Sequence, residues 1–100
     1  MVEKRRKSGK EKVFNKLKSA MYRAGFKNIR QIGNTIHGEA KRWNAPVKLI
    51  QYLDKHYTLK GGYGSHAGHP TYIRYKGRTE DITYKAINNR DYKLIVYYKG

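Results

Sequence analysis

The residues best suited to chemistry in this 100-residue chain sit in Lys60–His69, KGGYGSHAGH, where Ser65, His66 and His69 stand among glycines. An imidazole has an unperturbed pKa of about 6.5, so His66 or His69 could accept or donate a proton near neutral pH as a general base or acid. The same histidines, with Glu80 or Asp81, could in principle ligate a metal. The chain has no cysteine and no second closely spaced histidine pair, so no metal site is expected. Lys60-Gly61-Gly62-Tyr63-Gly64-Ser65 lacks the Lys-Ser/Thr ending of a phosphate-binding loop, and no cofactor is expected. The plain alternative for these histidines is a glycine-rich loop whose imidazoles face solvent or touch phosphate.

Charge is the stronger signal. Twenty-three Lys and Arg against seven Asp and Glu give a formal charge of +16, and residues 1–30 alone hold eleven basic and two acidic groups. A cationic chain gains affinity for nucleic acid by releasing condensed counterions from its phosphates. The candidate contacts are Lys4, Arg5, Arg6, Lys7 and Lys10 in an N-terminal arm, and Lys12, Lys16 and Arg23 on a helix face. Lys27 and Arg30 extend that face, Lys41 and Arg42 beside Trp43 reach closer to a groove, and Arg74 lies on a strand. An acidic protein is a second possible partner for the same charges. A membrane is not, because the basic helix has Phe14 as its sole strong apolar aromatic anchor.

Tyrosine is the third signal: nine of the ten lie between Tyr52 and Tyr98, and Tyr72 and Tyr75 alternate with Arg74 and Lys76. Exposed aromatics beside cations can stack nucleic-acid bases, whereas half-buried tyrosines simply suit strands. The second reading is favoured, and no aromatic signature of an RNA recognition motif is present. A helix-turn-helix fits neither at Gly33 nor at Gly38, since each alignment puts polar residues at apolar positions.

Gly64-Ser65-His66, followed by Tyr72-Ile73-Arg74-Tyr75-Lys76-Gly77, resembles the Gly-Ser-His segment leading into a strand in HicA-like toxin ribonucleases. The resemblance covers about fifteen residues. It implies a small ribonuclease in which His66 is the catalytic base or acid, with His69 as a second candidate. The long basic region in front and the lack of a helix after the strands depart from that family. The function expected from the residues themselves is therefore nucleic-acid binding through backbone phosphates, DNA before RNA, with no enzymatic activity required.

These groups must be positioned by a small fold. Residues 1–10 are too polar to bury and read as a flexible basic arm, and residues 11–100 as one α+β domain. Val13, Phe14, Leu17, Ala20, Met21 and Ala24 recur at helical spacing until Gly25, with Ser8 or Gly9 as cap. Ile29, Ile32, Ile36, Ala40 and Trp43 also fit helical spacing, giving two short helices broken at Gly33-Asn34; the competing reading is a hairpin turning there. Asn44-Ala45-Pro46 reads as a helix start, with Asn44 as cap and Val47, Ile50, Leu53 and Tyr57 buried. The expectation is thus a helical region over 11–57, a glycine-rich loop over 60–69, and a three-stranded antiparallel meander from Thr71–Lys76, Asp81–Ile87 and Tyr92–Tyr98. That element order is compatible with a winged-helix arrangement. Met1–Lys10 lacks the apolar stretch of a secretory signal and no segment approaches a membrane span. An intracellular protein, cytoplasmic or nucleoid-associated, is expected.

Overall fold

The computed structural model describes residues 9–66, 69–88 and 90–100, with side chains described outside 63–71. Helix α1 (Gly9–Ala24) buries Phe14, Leu17, Ala20, Met21 and Ala24, the stripe set by its apolar spacing. It closes with Gly25 N–H donating to Tyr22 O at 3.1 Å and Phe26 N–H to Met21 O at 3.0 Å, a Schellman pair. Phe26 is buried just beyond it. Next come β1 (Lys27–Ile32) and β2 (Thr35–Glu39), then α2 (Asn44–His56). The remaining strands are β3 (Thr58–His66), β4 (His69–Lys76), β5 (Glu80–Ala86) and β6 (Asp91–Tyr98).

All six strands form one antiparallel sheet in the order β1-β2-β6-β5-β4-β3. The last strand is therefore central, pairing with both β2 and β5. This corrects the expected three-stranded meander in two places. Residues 27–39 are a hairpin rather than helices, because Gly33 takes φ +61° while Asn34 stays at negative φ, the arrangement of a two-residue II′ turn. The helical spacing of Ile29, Ile32 and Ile36 is coincidental: Ile36 is buried, Ile29 is partly buried and Ile32 is exposed. The segment expected as a glycine-rich loop is instead the β3–β4 hairpin. A Cβ on Gly62 would lie 2.6 Å from Tyr72 O, so glycine at that position lets the two strands close up. A winged-helix arrangement falls with the helices it needed over residues 26–43.

Alternation sorts the sheet into two faces. Ile36, Gly38, Tyr92, Leu94, Val96, Ile82, Tyr84, Ile73 and Tyr75 are buried. Both helices cover this face. A Cβ on Gly38 would lie 2.6 Å from Met21 Cε of α1, and Tyr75 Oη donates to Asp54 Oδ1 of α2 at 2.8 Å. Phe26 packs edge-on to Tyr92 with ring centroids 5.6 Å apart. Pro46 sits in the first turn of α2, but the capping position belongs to Trp43, with no side-chain cap, rather than to Asn44. α2 buries Ala45, Pro46, Leu49 and Leu53. Its end is tied to the sheet by Tyr57, whose hydroxyl donates to the buried Glu80 carboxylate at 2.5 Å. Among the described residues no helix is long and apolar enough to cross a membrane.

Candidate nucleic-acid interface

The expected basic residues fall into three places. The first is α1. Lys12, Lys16, Ser19 and Arg23 lie at i, i+4, i+7 and i+11 and all are exposed. At 1.5 Å per residue they form a line of about 16 Å on the side away from the core. Lys10 is exposed at the start of the same helix. Lys4, Arg5, Arg6 and Lys7 lie outside the described residues.

The second place is a cleft of about 480 Å³ at one end of the sheet, lined among others by Lys27, Glu39, Lys41, Arg42, Asn44 and Arg90. The walls come from the end of α1, the start of α2 and the turn before β6, held together where Ala40 N–H donates to Arg90 O at 2.9 Å. Glu39 is the acid in this lining, and its Oε2 accepts from Asn28 Nδ2 at 2.7 Å and stands 4.0 Å from Arg30 Nη1. Asn28 reaches it from a bulge at φ 52°, a conformation asparagine tolerates. The cations around the cleft thus outnumber an acid that β1 already engages. Trp43 is half-buried against the core beside Lys41 and Arg42.

The third place was not legible as a site. The helix-free face of the sheet carries a continuous cross-strand row: Arg30 opposite His37, His37 opposite Lys93, Lys93 opposite Lys85, and Lys85 opposite Tyr72. The adjoining row runs Ile32, Thr35, Ile95, Thr83 and Arg74. Neither row contains an acidic residue. Lys27 and Arg30 therefore do not extend the α1 face; they stand on β1, paired in register with Glu39 and His37. Burial lowers the His37 pKa, and the neighbouring charges of Arg30 and Lys93 lower it further against an opposing effect of Asp91.

The tyrosines divide between the faces. Tyr57, Tyr75, Tyr84 and Tyr92 are core residues under the helices, while Tyr97 on β6 is 52 % exposed and Tyr72 half-buried. The histidines are brought together only in register: His66 ends β3 and pairs with His69, the first residue of β4. Gly64-Ser65-His66 thus ends one strand, β3, and stands just before the next, β4. Glu80 and Asp81 open β5 at the far end of β4, about 23 Å along the strand from His69 at 3.3 Å per residue. Glu80 accepts hydrogen bonds from Tyr57 and Thr79, and Asp81 pairs with Lys99 Nζ at 3.1 Å. Among the described residues no group of three His, Cys, Asp or Glu side chains is placed to hold a metal.

Arg90, Lys85 and Lys93 are the residues that sequence reasoning passed over. Lys85 and Lys93 had a usable signal, since each alternates with apolar or β-branched neighbours on a recognisable strand. Arg90 had none beyond lying in a turn. No family model, curated protein or solved structure matches the chain.

Proposed function

We propose that this protein binds nucleic acid, duplex DNA before RNA, chiefly through backbone phosphates. The observation that supports this reading best is the exposed line of Lys12, Lys16 and Arg23 along a helix whose opposite side is anchored in the core. A helix fixed in this way presents its cations without a further cost for ordering the backbone. Lys12 and Lys16 rise about 6 Å apart along the helix, so each can meet a different phosphate of the same backbone. Lys10 adds charge at one end of the line, and Lys4, Arg5, Arg6 and Lys7 precede it in the chain. Lys41 and Arg42, with Arg90 across the cleft, give the other end a concave set of donors.

The test is a titration at two salt concentrations against duplex DNA, single-stranded DNA and structured RNA. Replacing Lys12, Lys16 and Arg23 together by Gln is expected to lower duplex affinity about tenfold at low salt. It should also reduce the slope of log affinity against log salt by about 2 to 3, since each phosphate neutralised contributes about 0.9. Unchanged affinity and slope would remove the helix from the mechanism. Binding that survives only in extract, and persists after nuclease treatment, identifies an acidic protein as the partner instead.

The enzymatic alternative is RNA cleavage at His66, which the register supports by setting His66 opposite His69. His66→Ala should then abolish cleavage and spare binding. Intact RNA after prolonged incubation with pure wild-type protein retires the idea.

A further inference from the structure

We propose that the protein bridges two nucleic-acid duplexes, one held on the α1 face and the other on the open face of the sheet; this rests on the nucleic-acid reading above. The two surfaces belong to opposite layers. Lys12, Lys16 and Arg23 point away from the sheet, while Lys85, Lys93 and Arg74 occupy outward positions on strands whose alternate residues Tyr84, Leu94 and Tyr75 are buried beneath the helices. A duplex has a persistence length of about 150 base pairs, so one segment does not fold back around so small a body to reach both faces. Each face must then be served by its own segment.

The sheet face has its own reasons to take a polyanion. Lys85 and Lys93 are directly opposite on adjacent strands, an arrangement that costs stability unless something anionic lies against it. The acids nearest the rows are occupied at their margins. Glu39 accepts from Asn28, Asp91 Oδ2 accepts from Asn88 Nδ2 at 2.9 Å, and Asp81 pairs with Lys99. A second copy of the chain is a poor occupant, because the same lysines would meet one another across the contact. The charged groups of the two rows, Arg30, Lys93, Lys85 and Arg74, are all cations, so the chemistry recognised is the phosphate backbone.

The experiment tethers one duplex to a surface and measures capture of a second, labelled duplex by the intact protein. Wild type is expected to capture it. Lys85→Ala with Lys93→Ala should reduce capture at least about tenfold while lowering affinity for a single duplex no more than about fivefold, because the α1 face still binds; Lys12→Ala with Lys16→Ala, which also weakens binding of a single duplex, should reduce capture at least as much. All of these are exposed or half-exposed side chains, and circular dichroism of each variant is the check that the fold is kept. A mixture of the two variants should remain unable to capture. Restored capture would mean that a dimer, not one molecule, spans the duplexes, and would overturn the proposal. Wild type that binds a single duplex tightly but captures no second one overturns it while leaving the binding function intact. Absence of any binding removes both.

Discussion

Raising the pH above 10 is expected to unfold this protein in one cooperative step, within about one to two pH units. The cause is the number of tyrosines in a small core. Tyr57, Tyr75, Tyr84 and Tyr92 are each at most 9 % exposed. Burial pushes the pKa of all of them above the ordinary value of 10.0, reinforced at Tyr57 by its hydrogen bond to Glu80 and at Tyr75 by that to Asp54. These phenols ionise more readily in the unfolded chain than in the folded one. Their contribution is fully present below the unfolded pKa and is lost as pH rises toward the folded one. Each can remove up to about 1.4 kcal/mol per pH unit in that interval, so the group removes several kcal/mol per unit from a domain whose whole stability is on the order of 5–15 kcal/mol. Deprotonation of lysines over the same range relieves self-repulsion and works the other way, so alkaline unfolding would isolate the tyrosine contribution. Tyrosinate absorbance and far-ultraviolet circular dichroism, followed together, should show a main ionisation step coincident with loss of secondary structure. Ionisation of nearly all tyrosines without that loss would show that the hydroxyls are not enclosed as described. Tyr84 is the sharpest case, since its hydroxyl is buried with no hydrogen-bond partner among the described residues.

How far the fold was legible depends on whether local pattern or long-range pairing decides each element. The period of Phe14, Leu17 and Met21 marks α1, because an amphipathic helix is a local object. Strand composition marked β4, β5 and β6 to within a residue or two, but not their place in a larger sheet. Residues 27–39 defeated the period, because three isoleucines at helical spacing also occur by chance in a hairpin. The decisive feature was the Gly33-Asn34 dipeptide, whose backbone suits a tight turn. β3 was hidden by its glycines, which ordinarily weaken a strand; here Gly62 matters because β4 approaches too closely for a side chain. The α1 cations were placed by the same helical period that placed its core. The opposition of Lys85 and Lys93 depends on register, which no single segment specifies. The cleft depends on Ala40 pairing with Arg90, residues fifty positions apart that meet only because the last strand returns beside β2.

Gly77 is where the largest effect of a single methyl group is expected. It lies in the β4–β5 turn, and a Cβ there would collide with the carbonyl oxygen of Glu80 and come within 2.7 and 2.8 Å of the Tyr57 ring. Neither obstacle is free to move. The carbonyl belongs to the first residue of β5, and the Tyr57 ring is held by its bond to a Glu80 carboxylate that is itself 5 % exposed. The turn is further pinned by Gly77 N–H donating to Asp81 Oδ1 at 3.3 Å and by Lys99 Nζ donating to Gly77 O at 2.8 Å. Relieving the collision would therefore open the turn, displace Tyr57 from the end of α2 and leave a buried carboxylate short of a donor, which by itself costs about 1–3 kcal/mol. Gly77→Ala is expected to lower stability by about 3 kcal/mol or more, a fall in Tm of about 12–24 °C for a domain of this size. Gly61→Ala is the matched control: its Cβ would meet nothing within 4 Å, and the change should stay within about 0.5 kcal/mol. Thermal unfolding of both variants beside wild type decides the matter. Equal melting temperatures for Gly77→Ala and Gly61→Ala would mean that the turn is looser than described and that the Tyr57–Glu80 contact does not fix α2 to the sheet.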